Sequence, residues 1–307
     1  MKVIVTHSSP DMDAITAVWL IKKFLPNWND ASVKFVPAGE RLGSDKRQAT
    51  SDKQNPIEMI NEDEIIHVDT GLGPLDHHQT SSDKVCGASL TLEYVRKRRT
   101  EDGRRTSENG GQRTEKEKDK EEAVERMVKV VVDIDHFREV FRKDPLADYH
   151  EFDLASVLDG LKLQFPGQDD YYVVEISKSL DAVLHGFENR IWAEKEIKEN
   201  GKKFETRFGK GIGFETINDS VVKLSQKMGY AIAVRKDPRK GYVRIKVRPD
   251  SKIDLTLACE KLRKIDPDAT WYLHISKKML LNGSVKNPKM RPTTLSLEKI
   301  IKVLESV

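Results

Sequence analysis

Two β-branched runs and the loops that follow them deliver six potential metal ligands within the first 78 residues, which limits what this chain can fold into. The first run, Val3-Ile4-Val5, leads into His7-Ser-Ser-Pro-Asp11-Met-Asp13. The other, Ile65-Ile66-His67-Val68, ends in Asp69-Thr70-Gly71, and the loop beyond it carries Asp76-His77-His78. A run of β-branched residues reads as a buried strand, and Pro10 and Asp11 make the turn after the first one. Apolar spacing predicts a helix over 13–25, stopped by Pro26, and Val33 to Pro37 reads as another strand. Ile57 to Ile60 is expected as a short helical turn, and Cys86 to Arg99 as a helix. The order strand, helix, strand, strand, helix predicts an α/β domain on a parallel sheet. Ligands of such sheets sit at the carboxyl ends of the strands, where the His and Asp clusters fall.

Residues 99–122 contain no aliphatic or aromatic side chain and are expected to form a mobile, solvated insertion or a fraying helix start. The cluster Arg96, Lys97, Arg98, Arg99, Arg104 and Arg105 leaves open a basic flap over a substrate. Apolar spacing resumes at Ala123 and runs into Asp133-Ile-Asp135-His136. Helices are expected over 151–165 and 171–199. After Gly201 the pattern changes to strands at 203–208, 212–217, 230–234 and 242–247, a helix over 254–265, a strand over 269–275 and a last helix over 295–304. The expected organisation is a catalytic domain over 1–150, a helical connector over 151–200 and a smaller α+β substrate-binding domain over 201–307.

A chain of 307 residues is long enough for two domains. A net charge of +3 gives no overall bias toward nucleic acid or membrane. Cys86 and Cys259 lack metal-type spacing and point to a reducing compartment. No apolar run approaches the roughly 18 residues of a membrane span. The chain is therefore expected in the cytoplasm.

Carboxylates with imidazoles suit hard divalent ions, Mn2+ first and Mg2+ next. Two such ions about 3.5–4 Å apart need a bridging carboxylate and imply phosphate chemistry. Asp69 is the best bridge candidate, because it ends a strand between the other clusters. Asp11 and Asp13 stand two apart in a turn and can face different ions. His7 and His77 complete opposite sides, and His78 is free to face the substrate. A water between the ions would become hydroxide near neutral pH and attack phosphorus in line.

HSSPDMDA, VDTG and DHH, in this order and spacing, resemble the first three motifs of the DHH phosphoesterase superfamily. That superfamily includes RecJ-type exonucleases, nano-RNases, cyclic-dinucleotide phosphodiesterases and family II inorganic pyrophosphatases. The resemblance covers roughly residues 1–140, and the compact front end is also similar to the melanocyte-proliferating-gene-type exonucleases. It implies that His7 and Asp11 bind one ion, Asp13 and His77 the other, and that Asp69 bridges. It further implies that Asp76 orients the first imidazole and that His78 contacts the scissile phosphate. For the fourth motif's aspartate, Asp133 fits the pyrophosphatase pattern and Asp135, followed by His136, the melanocyte-proliferating-gene type; Asp135 is favoured.

The glycine-rich signature that ends most phosphodiesterases of the superfamily does not occur here. In its place stand Trp271-Tyr272-Leu273-His274 and a basic loop, from which His274, Lys278, Asn282, Ser284, Lys289 and Arg291 are the candidate substrate contacts. A second basic stripe, Arg235, Lys236, Arg239, Lys240, Arg244, Lys246 and Arg248, lies along an expected hairpin. The function expected first is a manganese-dependent exonuclease on short single-stranded RNA or DNA. The alternatives are a phosphatase or phosphodiesterase on pyrophosphate, a nucleotide or a cyclic dinucleotide, and a non-catalytic metal-binding scaffold. A homodimer is compatible with the pattern.

Overall fold

The computed structural model describes residues 1–43, 55–106, 114–283, 287 and 289–306, with no side chains described over 102–106. Two compact units emerge, Met1–Glu188 and Asn189–Val307. The segments expected as a connector thus divide within one long helix. Among the described residues no helix is long and apolar enough to cross a membrane.

The first unit is built on β1 (Lys2–His7), β2 (Ser32–Val36), β3 (Ile57–Ile60) and β4 (Asp63–His67) in the order β2-β1-β4-β3. β1 runs parallel to both β2 and β4, and Val3, Ile4 and Val5 are buried. The sheet is mixed rather than wholly parallel, because β3 pairs antiparallel with β4. Residues 57–60 are therefore a strand and not a helical turn. Asn61 and Glu62, both with positive φ (49° and 69°), form the two-residue turn that suits a hairpin. Four residues are too few for periodicity to separate a turn from a strand.

Helix α1 (Met12–Phe24) is capped by Asp11, whose side chain accepts from the Ala14 amide at 2.9 Å. It packs against α2 (Gly87–Thr106) and α3 (Glu115–Asp135). Of the two expectations for 99–122, a mobile loop and a helix start, the described residues show helix, since α2 runs on to Thr106 and α3 begins at Glu115. Residues 107–113, where the stretch was expected to be mobile, lie outside the described residues. Lys, Glu and Arg are good helix formers, and a helix needs only one buried face. Thr114 and Glu117 supply a capping box, and Ala123, Val124, Met127, Val128, Val131 and Val132 supply the face. Arg96 pairs with Glu125, and Arg98 with Glu101 3.8 Å away. Two 3-10 turns follow, Arg138–Phe141 and Asp148–Phe152, then α4 (Leu154–Gln164) and α5 (Asp169–Glu199).

In β1–β4 the register sets Val5 opposite His67, so His7 and Asp69 both lie at the carboxyl edge. The chain moves from β1 outward to β2 and later returns on the other side of β1 to form β4. Such a reversal of strand order opens a crevice beyond the carboxyl ends of the two central strands.

The second unit holds a six-stranded mixed sheet in the order β5-β6-β7-β8-β10-β9. These are β5 (Lys202–Thr206), β6 (Gly209–Glu215), β7 (Ile232–Lys236), β8 (Val243–Val247), β9 (Trp271–Leu273) and β10 (Met279–Asn282). Period-two alternation divides β7. Ile232 and Val234 pack with α7 (Thr256–Ile265) and α8 (Leu297–Glu305), while Ala233 packs with α6 (Ser220–Lys227). Neither α6 nor β10 was anticipated, because both are short and flanked by charged residues.

Candidate metal centre

The crevice at the ends of β1 and β4 gathers six side chains of the N-terminal motifs, His7, Asp11, Asp13, Asp69, His77 and His78, and two, Asp135 and His136, from the end of α3. The His7 Nδ1–H donates to its neighbour's carbonyl, Ser8 O, at 3.0 Å, which turns Nε2 inward. That nitrogen lies 3.3 Å from Asp69 Oδ2 and 3.9 Å from Asp11 Oδ2. On the other side His77 Nε2 lies 3.5 Å from Asp69 Oδ1, 3.7 Å from Asp13 Oδ2 and 3.6 Å from Asp135 Oδ2. Asp69 thus offers one oxygen to each group.

Donors surrounding a common ion sit about 3 Å or more apart, given bonds of about 2.1 Å. Direct hydrogen bonds are shorter than the separations around His77. Three atoms of this second group, Asp69 Oδ1, His77 Nε2 and Asp135 Oδ2, are buried with no hydrogen-bond partner. Orphaned buried polar atoms are costly unless something satisfies them. A cation would meet their common need, and three triads could hold one: His7, Asp11 and Asp69; Asp69, His77 and His78; and His77, Asp135 and His136.

Backbone geometry aims these groups. Asp69 has φ 52°, a left-handed conformation rarely imposed on a residue with a side chain and retained where function needs it. Its amide donates to Leu75 O at 3.0 Å and closes the loop. Arg41 braces that loop from outside by donating to Gly71 O at 2.8 Å. A Cβ at Gly71 would lie 2.7 Å from Arg41 Cγ, so the brace needs glycine there. Asp13 receives the Gly87 and Ala88 amides at the start of α2, each at 2.6 Å.

The electrostatics follow from burial of several carboxylates together. Burial, then the charges of Asp11, Asp76 and Asp135, push Asp69 up to about 8. Burial and the adjacent Asp69 raise Asp13 well above the usual carboxylate range. Burial also raises Asp135, although His77 opposes it, and lowers His77. The Cys86 thiol is pushed up by burial and by Asp13, so it stays protonated.

Not every candidate joins the cluster. Asp135 does, whereas Asp133 bonds Arg138 Nη1 at 2.9 Å. Asp76 bonds His78 Nδ1 at 2.7 Å and the His78 and Leu72 amides, so it orients the second imidazole of the pair rather than the first. Burial opposes ionisation of Asp76, but these hydrogen bonds prevail and lower its pKa. Asp135→Asn is expected to weaken Mn2+ binding about tenfold or more, and Asp133→Asn to leave it within about twofold. Titration calorimetry on the two variants distinguishes them.

In the second unit two of the candidate contacts are occupied by the fold. Asn282 is fully buried; its amide donates to Thr270 O and Arg291 O at 3.0 Å and accepts from the Thr293 amide at 2.7 Å. It is a strand residue and not a loop contact, as a four-residue strand before Gly283 hides in a turn-like sequence. Lys278 Nζ donates to Ile253 O at 2.7 Å and also to Ser251 O, so its charge is spent on the backbone. His274 Nδ1 engages Ser276 Oγ at 2.8 Å, and Lys289 and Arg291 are exposed. Ser284 lies outside the described residues. Arg235 and Arg244 of the basic stripe converge on Asp219, and Arg248 pairs with Asp250.

Two residues at the centre were not picked as site residues from sequence, since Gly87 carries no signal and His136 stood only as the neighbour of Asp135. Gly87 lets α2 approach, since a Cβ there would lie 2.8 Å from Asp69 Cβ. His136 donates from Nε2 to Val85 O at 2.9 Å, which ties the end of α3 to the loop before α2.

The raised carboxylates make a prediction about pH. Asp69 binds its proton up to about 8 when folded but only to 3.8, its ordinary value, when unfolded. Between those limits the folded state holds more protons, so the metal-free protein loses stability as pH rises from about 4 to about 8. The loss is on the order of a few kcal/mol. With Mn2+ bound the trend reverses, because ligation favours the deprotonated form. Thermal midpoints from pH 5 to pH 8, with chelator and with Mn2+, test both signs.

No protein-family model matches the chain, and no curated protein matches its sequence.

Proposed function

We propose that the chain is a phosphoesterase of the DHH type that holds two divalent ions, Mn2+ foremost, and hydrolyses short single-stranded oligonucleotides from an end. The observation that carries this reading is the position of Asp69. Its two oxygens face two separate groups of ligands, one with His7 and Asp11 and one with His77, Asp13 and Asp135. A carboxylate shared in this way is what a pair of ions needs, and paired ions serve in-line displacement at phosphorus. When bound, such ions neutralise charge on the phosphoryl oxygens and lower the pKa of water.

The chain's own residues supply the rest. His78 is mostly exposed, and its Nδ1 is fixed on Asp76. Its Nε2 edge is thereby directed away from Asp76, suited to hold a proton for a phosphoryl oxygen. Asp76, kept ionised by its hydrogen bonds, fixes the orientation of the imidazole. Asp13 stays in place through the start of α2, and Asp69 through its loop.

The test incubates metal-stripped protein with a 5′-labelled short RNA, with and without Mn2+, beside a pyrophosphate-release assay. The expected result is a Mn2+-dependent ladder of shortened products. Phosphate release from pyrophosphate without a ladder would replace the oligonucleotide with a small phosphate ester. Metal uptake with neither activity would leave a binding scaffold.

A further inference from the structure

Nine described residues other than glycine have left-handed backbone, and seven of them are polar or charged. The two exceptions are Leu72 (φ 52°) and Phe137 (φ 53°). Bulky side chains seldom occupy this region, and where they do the strain marks a turn or a functional constraint. Large apolar side chains also belong inside, yet Leu72 is 57% and Phe137 73% exposed. Both sit on segments that carry ligands of the centre. Leu72 lies between Asp69 and His77. Phe137 follows His136, whose ring lies 6.0 Å from that of His77.

Neither is loosely held. The Leu72 amide donates to Asp76 Oδ2 at 2.7 Å, and the preceding carbonyl, Gly71 O, accepts from Arg41. The Phe137 amide donates to Ile134 O at 2.9 Å. His136 before it is tied to Val85, and Arg138 after it is clamped by Asp133 and, at 3.1 Å, by Asp83. The chain therefore holds two apolar groups out to solvent on segments that carry candidate ligands, in a conformation it would otherwise avoid. Further exposed rings follow at Phe141, Tyr149 and Phe152, interleaved with Arg138, Arg142 and Lys143.

We propose that Phe137, with Leu72, holds the base of the nucleotide whose phosphate sits at the centre, an inference that rests on the function proposed above. An exposed aromatic face accepts any base by stacking and asks for no particular hydrogen bond. The substrate class is then a base-bearing phosphoester, and inorganic pyrophosphate lacks the group that these side chains recognise. The later rings suit the next bases of a short strand.

The test is equilibrium dialysis of adenosine 5′-monophosphate and of ribose 5-phosphate against the Mn2+-loaded full chain. Wild type is expected to bind the nucleotide about tenfold or more tighter than the sugar phosphate, the effect of one stacked base. Phe137→Ala removes that difference, Phe137→Trp keeps it, and neither changes ribose 5-phosphate affinity. Phe137→Gly, which suits the left-handed backbone, loses the nucleotide preference while its thermal midpoint holds or rises. A purely structural role would lower the midpoint instead. Equal affinity of wild type for both ligands overturns the proposal, as does unchanged nucleotide affinity in Phe137→Ala. In either case Mn2+-dependent binding of ribose 5-phosphate would show that the centre itself stands. Failure to take up Mn2+ or to bind either ligand would remove the phosphoesterase reading together with the base contact.

Discussion

Asp69→Asn is expected to lower Mn2+-dependent hydrolysis by about a thousandfold or more, some 4 kcal/mol in the barrier. The substitution keeps size and shape and removes one charge. Among the described residues that charge is the one shared by both ligand groups, so its loss would affect both ions, whereas a change at His7 or Asp135 would affect one. The fold is expected to survive, because asparagine accepts left-handed backbone better than most residues. Without metal the variant is expected to melt at a higher temperature than wild type. Asp69 is 2% exposed and keeps its proton up to about 8 in the empty centre, so a neutral amide spares the cost of protonating it there. Higher stability with lost activity is the behaviour of a site that stores strain for function. Melting curves in chelator and single-turnover hydrolysis in Mn2+ read the two effects separately.

Gly87→Ala is the second large effect. In an ordinary helix this change stabilises by up to about 1 kcal/mol, since alanine is the better helix former. Here the added carbon would lie 2.8 Å from Asp69 Cβ and 3.0 Å from both Asp13 Oδ2 and Asp69 Oδ1. None of these atoms can yield cheaply. Asp13 is held by two amides at 2.6 Å, and Asp69 by its closed loop. Overpacking of this kind costs about 1–3 kcal/mol, and the displaced carboxylates lose their common geometry. The expected outcome is a lower thermal midpoint and Mn2+ affinity reduced by about a hundredfold, as befits a disturbed ligand shell. A midpoint that rises as in a free helix would show that α2 does not approach the centre closely.

The parts of the fold readable from sequence were those with long, regular patterns. β1, β4 and α1 are β-branched or amphipathic over enough residues to be identified, and the ligand clusters follow them directly. What escaped has a physical reason in each case. The strand at 57–60 is too short for its period to show, and its hairpin rests on positive φ at Asn61 and Glu62. The charged ends of α2 and α3 look like loop because one lies beyond the buried Ala88, Leu92 and Val95 of α2 and the other precedes the α3 face that begins at Ala123. Asn282 and Lys278 carry side chains suited to a ligand, yet the fold uses them for its own backbone. In the centre, residue types identified most ligands, but the choice between Asp133 and Asp135 needed the end of α3 in three dimensions. Gly87 matters through the carbon it lacks, which no single sequence displays.

A pair of ions shared through Asp69 is tested by a Mn2+ titration of the metal-stripped chain, followed by calorimetry and by electron paramagnetic resonance. Two Mn2+ per chain and an exchange-coupled spectrum are expected, with Asp69→Asn losing the coupling. Uptake of a single Mn2+, or two ions with the spectrum of isolated Mn2+, would contradict the shared pair.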